Sequence, residues 1–425
     1  MPQLTRRTFI QGCSAAIAAM TGARFQSIVF ANPEETNPGD ILVKVFLRGG
    51  CDAINVTPPI GGNDRAHYEA ARSGIAISAG SALPLGNSGF GLNPNAGALH
   101  ELFNDNKLAI IQATGMHHGT RSHFNAMRFI EVGTPGDATT GSGWIARHLQ
   151  TANALPAGQF GQALALSNAI PASLMGEVEA VAMKEPKTFK LNVAASRWRD
   201  KQKAALRTLY NGSSRTQRGG TRALDAVEVI EANFDSNYIP SEGVSYPGGG
   251  FSERLQTVAQ MIKLDLGLRA VTIDLGGWDT HNAQGGDNGY FGTMMATLSD
   301  GLAAFYRDLN GSQSQTLSSK VSIVVMSEFG RRFQQNASGG TDHGHAGMMM
   351  VLGDNVNGGL HGTWPGLGAD QLYRGKDLEV TTDYRRVLSE VLVRRLNNPN
   401  LSTIFPGYMG YSPLNIVSGA DLPII

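Results

Sequence analysis

The chain has 425 residues, 41% hydrophobic and only 16% charged, so it can bury a sizeable core and lacks the composition of a disordered chain. Its 35 basic and 35 acidic side chains balance, which argues against binding to nucleic acid or anionic membranes through a net positive field. The 53 glycines point to many tight loops and not to a fibrous repeat.

At the start of the chain, Thr5-Arg6-Arg7-Thr8-Phe9-Ile10 is a twin-arginine pattern. A weakly apolar run follows from Cys13 to Thr21, and Val29-Phe30-Ala31 offers a small-x-small cleavage site. The pattern predicts an export signal over 1–31, too short and too rich in Ala and Gly to span a membrane. The twin-arginine translocase is then the partner during export, and the product is periplasmic or secreted. Removing the segment takes Arg6, Arg7 and Arg24 but no acid, leaving an excess of three acidic residues. Cys13 leaves with it, so Cys51 stands alone and no intramolecular disulfide is possible. This pathway carries proteins that fold before crossing, often around a metal or cofactor. No later stretch approaches 18 apolar residues, so no integral membrane segment is expected in the mature chain.

Residues 32–425 read as a single domain. The β-branched run at 40–47 predicts a strand ending in Arg48-Gly49-Gly50-Cys51-Asp52-Ala53. A short helix is expected over 95–106, with Leu99, Leu102 and Phe103 on one face, and a second buried strand over 108–112. The loop His117-His118-Gly119-Thr120-Arg121-Ser122-His123-Phe124 leads into a helix over 125–131, with Ser122 placed as its N-cap. Residues 150–250 are less regular and are expected to form an insertion or cap. Within them, 193–210 predicts a basic amphipathic helix with Trp198, Leu206 and Leu209 inward. The Pro, Gly and Ser of 236–250 predict a loop or linker. Regular alternation resumes with a helix over 252–266 capped by Ser252, then a strand over 268–275 ending in Gly276-Gly277-Trp278-Asp279-Thr280-His281. A long helix over 290–309 follows, with Met294, Leu298, Leu302 and Phe305 on one face. A strand over 321–326, another apolar run at 348–352 and a helix over 383–396 complete the chain. Strands alternating with helices predict an α/β fold with a mostly parallel central sheet covered on both faces.

The stretch that concentrates chemistry is Ser327 to Gly347, SEFGRRFQQNASGGTDHGHAG. It follows a buried strand and carries Glu328, Asp342, His343 and His345. Two other strands end similarly, at Asp52 and at Asp279 with His281, and in a parallel sheet such ends converge on one edge. Carboxylates and imidazoles in this mixture are the ligands divalent metals take. One or two ions, of zinc, manganese, calcium or magnesium, would fit the inventory. Six of the ten histidines (His117, His118, His123, His281, His343 and His345) fall in these loops. Ser122 is the leading nucleophile, at a helix start that offers N–H groups and positive potential to an anion; it serves equally well as a plain cap. Arg121 could clamp a phosphate or sulfate bidentately. Arg331 could bind an anion or pair with Glu328. His117 and His118 are possible substrate contacts, Cys51 is a rival nucleophile or a small buried residue, and Trp278 is expected to pack beneath its loop.

Several blocks together resemble the bacterial exported family called domain of unknown function 1501, within the alkaline phosphatase and sulfatase superfamily. They are LRGGCDAINVTPP at 47–59, RSHFNAMRFIEVG at 121–133, GGWDTH at 276–281, the 327–347 stretch and TTDYRRVLSEVL at 381–392. The resemblance implies an alkaline phosphatase-like core and metal-dependent hydrolysis of small anionic phosphate or sulfate esters. It implies Asp52 as the first-strand metal acid, Ser122 as nucleophile, Asp279 and His281 as a ligand pair, and His343 or His345 as the final ligand. Phe329 stands where the superfamily places a ligand histidine, so Asp342 would substitute or one metal would be lost. A non-catalytic binding or assembly protein on the same fold is the alternative.

Overall fold

The computed structural model describes residues 40–152, 162–176, 180–184, 198–214, 238–265, 267–311 and 317–425, with residue 191 and scattered positions between 217 and 231. The 1–31 segment lies outside the described residues. The sheet that organises the chain has nine strands among the described residues. Its centre is β1 (Ile41–Arg48), where Ile, Leu, Val and Phe follow one another almost without interruption. A strand covered on both faces needs no polar side, which is why the run is apolar rather than alternating.

β1 is flanked on one side by β5 (Ala270–Gly276) and on the other by β6 (Val321–Ser327), both parallel to it. Beyond β6 come β7 (Gly347–Leu352), then β2 (Leu108–Gly115), with β8 (Gly359–His361) and β9 (Thr382–Asp383) pairing to β2. Beyond β5 lie β3 (Ala163–Ala165) and β4 (Ala180–Ala182). Only β7 runs antiparallel to its neighbours. The loop between β6 and β7 therefore leaves and re-enters the sheet at one edge. That edge is also where β1, β2 and β5 end, so four chain segments meet there.

Helices cover both faces. α2 (Gly97–Asn104), α6 (Gly250–Lys263) and α7 (Tyr290–Asn310) pack on one face, where Leu99, Leu255, Leu298, Leu302 and Phe305 are buried with Val43 and Val45 of β1. α3 (His123–Val132), α4 (Trp144–Thr151) and α8 (Tyr384–Arg394) pack on the other, with Leu42 and Phe46 facing Ile130, Trp144 and Val391. Lys44 is buried within β1, where its ammonium donates to Glu131 at 3.2 Å and Ser173 at 3.0 Å. α1 (Gly62–Ala71) lies near the loop edge.

Several expectations shift in detail. β3 and β4, from within the possible insertion or cap, extend the central sheet instead, because the short Ala-rich β3 fits closely against β5 and β4 pairs with β3 at the edge. The basic helix is α5 (Arg199–Leu209), in which Leu206 is buried, but Trp198 is 36% and Leu209 61% exposed. Its inward face is thus narrower than the periodicity suggests, and residues 193–197 lie outside the described residues. α6 starts at Gly250 with Gly249 as its cap, which buries Ser252 inside the first turn. The described part of the 236–250 stretch has no helix or strand before Gly250 but is tied down. Tyr238 and Tyr246 hydroxyls and the Ser241 N–H all donate to the buried Asp308 carboxylate. No helix among the described residues is long and apolar enough to cross a membrane.

Candidate metal centre

The strand ends set the backbone first. Gly49 adopts a positive φ of 124°, and a Cβ there would lie 2.4 Å from the Asp279 nitrogen, so only glycine allows the loops after β1 and β5 to touch. Arg331 then fastens this junction. Its guanidinium is buried and donates to the carbonyls of Gly50 (2.8 Å), Thr341 (2.9 Å), Gly49 (2.8 Å) and Trp278 (3.1 Å), and to Asp279 Oδ1 (2.5 Å). One side chain thus ties together three loops from distant parts of the sequence. The expected pairing of Arg331 with Glu328 or with an external anion is replaced by this internal role. Trp278 is fully buried edge-on to Phe291, packing beneath its loop as expected.

Around Asp279 three imidazoles converge. Asp279 Oδ1 lies 3.1 Å from His281 Nε2 and 3.2 Å from His343 Nε2, and its Oδ2 lies 3.5 Å from His123 Nε2. His281 Nε2 and His343 Nε2 face each other at 2.9 Å. The potential ligand atoms of His123, Asp279 and His343 all lie within 4.8 Å of one another.

The other ring nitrogen decides what these Nε2 atoms can do. His123 Nδ1 meets Glu328 Oε1 at 2.7 Å, His343 Nδ1 meets the Arg121 carbonyl at 2.8 Å, and His281 Nδ1 meets Asp342 Oδ1 at 3.2 Å. Each Nδ1 faces an oxygen that can only accept, so each keeps its proton there. In a neutral ring that leaves Nε2 as a lone pair directed at the Asp279 carboxylate. Carboxylate or carbonyl, then imidazole, then ion is the arrangement by which proteins orient metal-binding histidines.

Electrostatics acts differently on the groups of the centre. The Glu328 hydrogen bond raises the pKa of His123, although burial opposes it. Burial pushes Glu328 up, but its bonds from His123, the Gly49 N–H and Ser327 prevail and hold it below its ordinary range. Burial likewise acts against the Asp279 anion, and the Arg331 hydrogen bond and charge outweigh it. Burial lowers His343, helped by the nearby His123 and Arg331 charges. Among the described residues, His123 Nε2 is a buried nitrogen with no hydrogen-bond partner. An orphaned donor-acceptor atom beside an ionised carboxylate and two further imidazoles fits a divalent cation. Three nitrogens and one oxygen suit zinc and its transition-metal neighbours better than calcium or magnesium.

The remaining sequence candidates separate into those at this centre and those elsewhere. Asp279, His281 and His343 are ligand candidates, while Glu328 and Asp342 hold the rings. His123 was named among the loop histidines but not as a ligand. Its signal was adjacency to Ser122 at a helix start, which draws attention to the hydroxyl. Asp52 is not at the centre: it is 0% exposed, with Oδ2 bonded to Arg72 at 2.5 Å and Gln284 at 2.6 Å and Oδ1 to Arg72 at 3.0 Å. Arg72, 20 residues on at the end of α1, takes up the carboxylate that a metal would need. His345 is also elsewhere, buried and stacked on Tyr373 at 4.0 Å, where burial lowers its pKa to about 4.

Arg121 ion-pairs with the buried Asp377, so its guanidinium is not turned to an external anion as expected. His117 is exposed and His118 half-buried against Phe129. Ser122 occupies the N-cap position of α3 but makes no side-chain cap bond, and it is exposed beside His123. Phe329 packs against both the His123 and His343 rings, at 4.9 and 5.0 Å, and fills the space that a side chain at Gly50 would need. Cys51 is buried, and desolvation raises its thiol well above the ordinary range, which leaves it a packing residue.

Residues 136–396 match the family model described as protein of unknown function, DUF1501. The chain belongs to this family. The match includes Asp279, His281, Glu328 and His343, and begins after Ser122 and His123. No curated protein matches. Among solved structures, the chain is similar to Ps i-CgsB in complex with k-i-k-neocarrahexaose, at 12% identity and a TM-score of 0.34, covering 76% of this chain and 69% of that one. It is also similar to the PsFucS1 sulfatase from Pseudoalteromonas sp., at 10% identity and a TM-score of 0.36, covering 97% of this chain and 77% of that one. Likeness at these scores is too weak to carry an activity over.

Proposed function

We propose that this DUF1501 chain is an exported hydrolase of phosphate or sulfate esters built on one divalent metal. His123, Asp279, His281 and His343 would hold it. The observation that carries the reading is the three imidazoles with Nδ1 tied to an acceptor and Nε2 turned to Asp279. When bound, a metal of this class polarises an ester oxygen and lowers the pKa of a nearby hydroxyl.

The chain's own residues supply the rest. Glu328 and the Arg121 carbonyl fix the orientation of two rings, and Arg331 holds Asp279 ionised. Ser122 precedes a ligand histidine and has no capping bond to compete for its hydroxyl, so it is the proposed nucleophile. The first-turn N–H groups of α3 would accept the negative charge of the ester. Asp52 is closed by Arg72, which reduces the two-metal expectation to a single metal.

A second reading, a metal-binding or assembly protein without turnover, is favoured by one observation. Asp52, which the resemblance implies for the metal, and Arg121, whose guanidinium was expected to clamp the anion, are both engaged internally. One experiment separates the two. Metal content and turnover of aryl phosphate and aryl sulfate esters are measured for the wild type, Ser122→Ala and His343→Ala. Near-stoichiometric metal with turnover that Ser122→Ala abolishes supports the hydrolase. Bound metal without turnover on either ester supports the second reading. A wild type that binds no metal refutes the hydrolase and leaves the assembly reading.

A further inference from the structure

Next to the centre, on the far side of the loop 328–346, lies a cavity of about 590 Å³. This is within the range of small-molecule sites and larger than a phosphate or sulfate group needs. The loop's extended backbone creates both compartments. Arg331 pairs with His343, while the next residue, Arg332, pairs with Asp377. Consecutive side chains of an extended segment point to opposite sides. Arg331 thus turns in to Asp279, and Arg332 lines the cavity. Asp342 is the shared wall: it lines the cavity, and its Oδ1 accepts from Asn336 and faces His281 Nδ1.

The lining is unlike the metal centre in chemistry. Arg332, Lys376 and His67 face the single acid Asp342, which is already hydrogen-bonded. Gln334 and Gln335 add amide groups, and Leu367 and Phe333 an apolar wall. One acid beside an arginine and a lysine is a poor cation site. Cationic, amide and apolar surfaces together match the carboxylate, hydroxyls and C–H faces of a sugar acid.

We propose that this cavity binds an acidic, hydroxyl-rich organic group of the sugar-acid class, at a site independent of the metal centre. The test is calorimetric titration of the full chain with glucuronate and, as the uncharged control, glucose. Saturable glucuronate binding is expected, at least tenfold tighter than glucose. It should weaken at least tenfold in Arg332→Ala and in Lys376→Ala, and stay within twofold in His343→Ala. The exposed Lys376 keeps the test valid should Arg332→Ala misfold. No saturable glucuronate binding, equal binding of glucose, or affinity unchanged in both cavity variants overturns the proposal. So does loss of binding in a folded His343→Ala, which would place the acid at the metal centre. Absent ester turnover with intact glucuronate binding sinks the hydrolase reading and leaves the cavity.

Discussion

Asp52 and Asp279 stand just past the ends of neighbouring parallel strands, each reached through a pair of glycines, yet they do opposite things. Asp52 is fully buried, and an arginine and an amide saturate its carboxylate. Asp279 is 48% exposed and shares its carboxylate between Arg331 and three imidazoles. The first closes a junction, and the second opens a site. An acid at a strand end is therefore poised for chemistry only when its partners bring lone pairs of their own to it, as neutral imidazoles do and arginine cannot.

The largest effect should come from breaking the closed acid. Asp52→Ala leaves the buried Arg72 without its ion-pair partner, held only by Asn55 and the carbonyls of Phe333 and Arg332, and is expected to cost about 3–5 kcal/mol in urea unfolding. Asp279→Ala should cost clearly less in the metal-free protein, because the Asp279 carboxylate is 48% exposed and solvent screens its ion pair, whereas that of Asp52 is fully buried. Equal losses would erase the distinction. The open acid is tested through its histidines. His343→Ala should lower zinc affinity by more than about 100-fold, measured by chelator competition, while leaving the unfolding midpoint of metal-free protein near wild type. Glu328→Gln weakens the grip on the His123 ring without removing a ligand, and a loss of about 10–100-fold is expected in the same assay.

Histidines divide in the same way, and pH exposes it. His148 is fully buried, its Nδ1 bonded to Asn398 at 2.9 Å, and burial lowers its pKa from 6.5 to about 3. Above pH 6.5 the ring is neutral folded and unfolded, so its full contribution is present. Below that, the unfolded chain takes a proton that the folded ring refuses until about pH 3. Stability should fall by up to about 1.4 kcal/mol per pH unit across this window. The slope should be correspondingly shallower in His148→Gln, as denaturant titrations at several pH values would reveal. The smallest effect belongs to Ser122→Ala. Lacking a cap bond, it should change stability by less than about 0.5 kcal/mol, whereas a loss above 1 kcal/mol would make Ser122 a structural cap.

Much of this architecture was legible in the chain. The apolar runs at 40–47, 268–275 and 321–326 became adjacent strands, because parallel strands buried on both faces announce themselves by continuous hydrophobicity. The convergence of Asp279, His281 and His343 followed from strand ends sharing one edge. The antiparallel direction of β7 was not legible, since an apolar run has no polarity until a loop length and a partner set it. Nor was the fate of the acids. Asp52 looks as available as Asp279 until Arg72 is seen to reach it from the end of α1.

By itself, then, the sequence determined the α/β class, the edge at which chemistry collects and most of the residues found there. Periodicity and loop composition are local properties that survive in one dimension. Only the tertiary structure decided which acid is open, that His123 joins the cluster, that Arg331 serves as a three-loop tie, and that Arg332 turns into a separate cavity. Hydrogen-bond partnership is set by three-dimensional proximity between residues far apart in sequence, and partnership is what turns a carboxylate or an imidazole into a brace or a ligand.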